Sequence, residues 1–232
     1  MLEEAVVRTV LEQEEGRFLP GEFQGAGCKI FAALPDGEDL AVFALIEYRE
    51  YSFINDVFTN VSGCRARVRI DFGREDGAYA AQRYVHLEID TLPEEEIEEL
   101  MAPLKEAGAD TVYSDTDLTE LRAQVNGAAE EYLRRLGRDA SVAERETLDL
   151  EWLYDKGISD SAMSRILEDE KAFSYPDWLG TEERLENGER FVCRTDYEEQ
   201  THLITYTKTR YDSGEVVEIL RFDALTGERN NS

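Results

Sequence analysis

Histidine, cysteine, proline and positive charge are all scarce in this chain, and each scarcity removes a class of protein. The 232 residues include 2 His, 3 Cys, 5 Pro and 25 Lys+Arg. Three cysteines, Cys28, Cys64 and Cys193, lie far apart with no CxxC and no Cys/His cluster. That disfavours a disulfide-dense scaffold and a zinc site, and it suits three small buried apolar residues. Collagen-like sequence is excluded by 5 Pro and 16 Gly. No apolar run approaches the ~18–20 residues of a membrane span, and the longest, residues 40–46, suits a buried strand. The opening Met1-Leu2-Glu3-Glu4-Ala5 lacks the basic and apolar regions of a signal peptide. Taken literally this implies a cytoplasmic chain, and it is equally compatible with a soluble piece of something longer.

Acid is what the chain has in excess. Against 25 basic residues stand 52 Asp+Glu, giving a formal charge of −27. Direct nucleic-acid binding is disfavoured at a sequence pI near 4.4, because phosphates repel such a surface. Disorder is disfavoured too: 11 Tyr, 10 Phe and 2 Trp supply the apolar area for a core.

Hydrophobic spacing gives an α+β fold. Residues 2–15 read as an amphipathic helix on Leu2, Val6 and Val10, and residues 17–27 as a glycine-containing linker. Candidate strands follow at 28–33, 40–48, 50–58, 64–72 and 84–90, an antiparallel meander. The clearest is 64–72, where Cys64, Ala66, Val68, Ile70 and Phe72 alternate with Arg65, Arg67, Arg69 and Asp71. Helices are expected at 93–106, 118–136, 142–154 and 159–171, the second capped by Ser114, Asp115 or Thr116 and stopped by Gly137. Strands return at 190–194, 201–210 and 215–222, the last two joined by a hairpin at Asp212-Ser213-Gly214. The expected organisation is an N-terminal helix (1–17), an antiparallel β-rich domain with a trailing helix (18–108), a helical segment (109–185) and a C-terminal β-hairpin unit (186–232). That last unit either stands alone or extends the first sheet.

No catalytic motif is present: GxSxG, GxxxxGK[ST], GxGxxG, SxxK and HExxH are all absent. His86 and His202 are isolated strand residues. The piece from Gly21 to Gly27 lacks the Lys and Ser/Thr of a phosphate loop and reads as a plain loop. Asp110, Asp115, Asp117 and Glu120 resemble a calcium loop only loosely. The run Glu94-Glu95-Glu96 with Glu98-Glu99 reads as a solvated helix face. Two features remain as binding candidates. Arg65, Arg67 and Arg69 form the one basic cluster, for which pairing with neighbouring carboxylates competes with an anion or partner site. Tyr48, Tyr51 and Phe53, with Phe58, suit either core packing or an aromatic groove.

Several stretches resemble a known domain. They are Leu19-Pro20-Gly21-Glu22, Gly25-Ala26-Gly27-Cys28-Lys29-Ile30, Val42-Phe43-Ala44-Leu45, Tyr48-Arg49-Glu50-Tyr51-Ser52-Phe53 and Val61-Ser62-Gly63. Further along come Tyr132-Leu133-Arg134-Arg135-Leu136-Gly137-Arg138, Tyr175-Pro176-Asp177-Trp178-Leu179-Gly180-Thr181 and Ile204-Thr205-Tyr206-Thr207-Lys208. Together they resemble the C-terminal extracytoplasmic domain of Firmicutes antirepressor-type membrane metallopeptidases, relatives of the beta-lactam sensor. The resemblance implies a sensing or accessory domain without catalytic residues, placed outside the cell. The peptidase HExxH belongs to the membrane part, which this chain lacks, and Cys28 stands where those relatives carry His. The expected function is therefore a noncatalytic module that binds a ligand or protein partner, with no cofactor. The competing expectation is an acidic cytoplasmic protein that mimics nucleic acid and blocks a basic surface.

Overall fold

A computed structural model describes residues 1–37, 39–75, 77–88, 92–109 and 112–230. The fold class is α+β with a predominantly antiparallel sheet, as the spacing predicts. The chain forms two compact units, Met1–Tyr51 with Val61–Asp139, and Ser52–Asn60 with Ala140–Ser232. The crossing points are therefore a β-hairpin tip and residues 139–140, whereas the sequence suggested a break near 107–111. Residues 110 and 111 of that stretch lie outside the described residues.

The first unit holds α1 (Leu2–Glu14), β1 (Phe23–Asp36), most of β2 (Asp39–Ile54) and of β3 (Val57–Glu75), β4 (Ala78–His86), α2 (Glu94–Glu106) and α3 (Asp115–Leu136). Its strands run in the order β1-β2-β3-β4. The expected strands at 40–48 and 50–58 are one hairpin instead. β2 continues to Ile54, and Asn55-Asp56 turn the chain with φ of 48° and 64°. Two consecutive positive φ values make the tight turn whose twist matches antiparallel strands. The last expected strand ends at His86, and residues 89–90 lie outside the described residues.

The alternation along β2 and β3 sorts two cores. Val42, Ala44, Ile46 and Tyr48 of β2 join Ala66, Val68, Ile70 and Phe72 of β3 beneath Ala5, Val6 and Val10 of α1. Ala41 and Phe43 face the other way, onto Leu100 and Leu104 of α2 and onto Leu87. β2 is thus buried on both faces, which is why its sequence is almost continuously apolar or aromatic.

α3 is positioned by two glycines. A Cβ on Gly25 would lie 3.0 Å from Val125 Cγ1, and one on Gly27 3.0 Å from Gln124 Oε1 and 3.1 Å from the Leu121 carbonyl. Of the stretch expected to be a linker, residues 23–27 are the start of β1, made glycine-rich so that a helix can lie against it, and only residues 17–22 remain a connection. Leu121, Val125, Ala129 and Leu133 form the buried stripe. Gln124 then does what a fifth strand would do: its Oε1 accepts the Cys28 N–H at 2.9 Å and its Nε2 donates to the Cys28 carbonyl at 3.3 Å. A sheet edge is closed by a helix side chain. Ser114 caps α3 as predicted, accepting the Asp117 N–H at 3.3 Å, and Gly137 ends it in the left-handed conformation at φ 66°.

The second unit contains the hairpin tip, β5 (Val142–Ala143), β6 (Glu151–Trp152), α4 (Asp160–Leu167), β7 (Trp178–Glu186), β8 (Glu189–Glu198), β9 (Leu203–Arg210) and β10 (Val216–Asp223). Its sheet runs β10-β9-β8-β7, with β7 joining the tip through Ile54 and Glu182. β5 pairs with Phe58 and Thr59 in parallel. The helix expected at 142–154 is absent. Two-residue strands alternate there with 3-10 turns at Arg145–Thr147 and Leu153–Lys156. One face of this sheet packs Cys193, Ile204, Tyr206, Leu220 and Phe222 against Leu153, Ile166 and Tyr175. The hairpin at residues 212–214 forms with Gly214 at φ 68°.

Glu94, Glu95, Glu96, Glu98 and Glu99 are all exposed on α2, while Leu100 and Leu104 are buried. Replacing the five glutamates with glutamine is expected to leave the fold cooperative, with a midpoint change within about 0.5 kcal/mol per site. Loss of a single sharp transition in denaturant titration would show that this face carries structure.

Candidate binding groove in the first unit

The sequence candidates divide on inspection. Tyr48, Tyr51, Phe53 and Phe58 are fully buried, so no open aromatic groove exists at these residues. Tyr48 donates to the Glu50 carboxylate, and Tyr51 donates to Asn126 Oδ1 at 2.7 Å. Phe53 packs on Phe58 at 4.8 Å between centroids, under the Arg190 guanidinium at 5.7 Å. Tyr48 and Tyr51 belong to the first unit and Phe53 to the second. The structure does not gather them into one site. A buried two-faced strand has the same aromatic content as a groove wall, and burial decides between the two.

The arginines are engaged with carboxylates. Arg65 reaches Glu47 at 3.0 Å, and Arg67 reaches Glu88 at 3.2 Å. Arg69 binds Asp71 at 2.8 Å, donates to the Leu100 carbonyl at 3.1 Å and lies 5.6 Å from the centroid of Phe43. This is the neighbour pairing that a period-2 basic face produces. A polar cleft beside α2, lined by Arg69, Arg83, Glu95, Glu96 and Glu99, has about 690 Å³. Its buried guanidinium is already committed to Asp71 and the Leu100 carbonyl, which weakens it as an anion site.

The loose calcium-like acids have structural partners. Asp117 accepts the Ser114 N–H at 2.8 Å and pairs with Lys29 at 3.0 Å. These contacts pull its carboxyl down to about 2, the Ser114 amide contributing most. Glu120 lies 3.6 Å from the same lysine. Asp110 lies outside the described residues. All three cysteines are unpaired with one another.

One buried polar cluster was not anticipated. Glu14, in the last turn of α1, is fully buried. Its Oε1 accepts Tyr84 OH at 2.7 Å and lies 2.6 Å from His86 Nε2, and its Oε2 lies 3.2 Å from Arg17. Burial works against the charge, but His86, Tyr84 and Arg17 outweigh it and hold the carboxyl below its ordinary value. Burial pushes the neighbouring Cys64 thiol up to about 12, and burial and Glu14 raise the Tyr84 hydroxyl. Both stay protonated at neutral pH, so the cluster acts as a clamp tying α1 to β4. The signal was present in the sequence: Val6, Val10 and Glu14 continue one stripe at four-residue spacing, which places a carboxylate on the apolar face.

A second concavity, with a more apolar lining, lies between α1 and α3. It encloses about 430 Å³ and is lined by Glu3, Glu4, Val7, Arg8, Leu11, Cys28 and Gln124. That volume falls within the ~300–1,000 Å³ of small-molecule sites. The geometry follows from the helix repeat. Glu3, Val7 and Leu11 recur every four residues and so lie along one side of α1. Val7 and Leu11 are half-buried, with their outer surfaces open. Cys28 forms the floor, its thiol pushed up to about 11 by burial and by Glu3, so it remains neutral. Gln124 supplies a fixed polar wall because both ends of its amide are held by β1. Arg8 sits at the rim, donating to the Tyr79 carbonyl at 2.9 Å.

The fold is α+β, and its first unit carries a half-open, largely apolar concavity. Comparison with known proteins adds no closer assignment: no family model, no curated protein and no solved structure matches the chain.

Proposed function

We propose that the chain is a noncatalytic binding module, of the sensor or accessory kind that the resemblance to antirepressor-type peptidase domains implies, and that its ligand enters the α1–α3 groove. The observation that carries this is an apolar slot of about 430 Å³ that the fold holds open without filling it. Its walls are rigid: α1 is clamped through Glu14, and α3 is fixed to β1 through Gln124. A preformed apolar site with a few placed polar groups is the usual form of a small-ligand pocket.

A screen of small amphiphiles by thermal unfolding tests this. A ligand at a hundred times its Kd is expected to add about 2.7 kcal/mol of stability to the native chain. The same ligand concentration should stabilise Leu11→Gln by about half as much, about 1.4 kcal/mol, if the substitution weakens binding about tenfold. No stabilising compound, or an equal response from Leu11→Gln, would overturn the groove.

The second reading, an acidic blocker of a basic surface, draws on the five exposed glutamates of α2. Salt-sensitive binding to a basic protein, lost on neutralising those five, would move the function to that face.

A further inference from the structure

The groove has a polar end and an apolar end. Glu3 and Glu4 sit at one end and Leu11 at the other, with Val7 and Cys28 between. Eight residues of helix separate Glu3 from Leu11, a span of about 12 Å. Arg8 is the one cation of the lining, and it donates toward β4 through the Tyr79 carbonyl. Glu4 accepts from the Met1 amine at 2.6 Å, which leaves Glu3 as the carboxylate that an entering charge meets first. The whole chain carries a formal charge of −27, a net charge that attracts cations and repels anions. Nothing on the floor suits a second charge, since Val7, Leu11 and the Cys28 side chain are neutral and Gln124 is already bonded to the strand edge.

We infer that the groove selects a cationic amphiphile, with its ammonium head at Glu3 and its alkyl or aryl tail along Val7, Cys28 and Leu11. This rests on the groove being the binding site and adds the chemical class of the ligand. The head is held by an exposed carboxylate, so it contributes selectivity and salt dependence more than affinity. The tail supplies the affinity by covering the outer faces of Val7 and Leu11.

Isothermal calorimetry with three octyl-chain probes below their micelle thresholds tests the class: octyltrimethylammonium, octyl sulfate and octyl glucoside. At low salt the ammonium probe is expected to bind about fivefold tighter than either other probe, a difference of about 1 kcal/mol. Glu3→Gln should cost the ammonium probe about twofold to fivefold and leave the glucoside unchanged, and Leu11→Gln should weaken both. Equal binding of all three probes, each weakened by Leu11→Gln, would keep the groove as the site and overturn the cationic class. Ammonium binding unaffected by either substitution would mean adsorption to the acidic surface, and it would overturn the class. Heat from none of the three would overturn the class and count against the groove itself.

Discussion

Val68→Asp lowers the unfolding free energy by about 4 kcal/mol or prevents folding outright. Val68 is fully buried in β3, opposite His86 of β4, on the face covered by α1. The core cluster it belongs to includes Ala66, Ile70, Val42, Ala44 and Val6, which offer no side-chain hydrogen bond, and His86 opposite is already held by Glu14 Oε1 at 2.6 Å. A carboxylate at that point loses its hydration and can gain His86 only in competition with the Glu14 carboxylate, so it protonates or pulls the helix from the sheet. Val68→Ala isolates packing from charge and is expected to cost about 2 kcal/mol, because it removes methyl groups without burying a charge. Urea unfolding followed by circular dichroism reads both. A midpoint unchanged by Val68→Asp would mean that the alternation of residues 64–72 points the other way.

Glu14→Gln costs about 2–3 kcal/mol at neutral pH. The expectation is below the cost of breaking a fully buried pair, because Arg17 is half exposed. The glutamine keeps the volume and can still accept from Tyr84, but it loses the charge that His86 and Arg17 face. The pH dependence has a defined sign. The folded carboxyl titrates below its unfolded value, so its stabilising contribution is complete above the unfolded value of about 4.3. It fades as pH falls through the lower folded value. The gap between native and Glu14→Gln is therefore full at pH 7 and shrinks below about pH 4. A gap constant down to pH 3 would show that Glu14 is not held as an anion.

Much of the fold was legible because local signals agreed with one another. Residues 64–72 alternate for nine positions, and α3 carries a stripe, a capping serine and a stop glycine. The missed elements are those whose sequence answers to a distant partner. Gly25 and Gly27 read as loop residues, yet they lie in a strand because α3 needs the space of their missing side chains. β7 has few β-branched residues and was not expected. Its strand is set by pairing with β8 across Asn187-Gly188, whose φ values of 52° and 82° make a tight hairpin turn. That Asn-Gly pair was the available signal. Residues 142–154 were expected to be helical, yet Leu148, Leu150 and Trp152 alternate at period two. The structure there is strand and 3-10 turn.

The site was less legible than the fold. The arginine cluster pairs with Glu47, Glu88 and Asp71. The aromatic run is core because β2 is covered on both sides, a fact that depends on where α1 and α2 dock. The groove itself joins residues 3–11 to Cys28 and Gln124, and no spacing rule connects those three places. Only the clamp residue Glu14 was readable in advance, as a charge at the next turn of an apolar stripe. The charge of −27 acquires a narrower sense as well. The sheet arginines are consumed in local pairs, while the exposed glutamates of α2 and of the groove rim face solvent.

The most direct test of the groove as the binding site is methyl and amide NMR during titration with octyltrimethylammonium. The account predicts saturable shifts at the Val7 and Leu11 methyls, the Cys28 amide and the Gln124 side-chain amide. Residues of the second unit, such as Ile204 and Leu220, should stay in place. Shifts spread along the glutamates of α2, with Val7 and Leu11 unmoved, would contradict it.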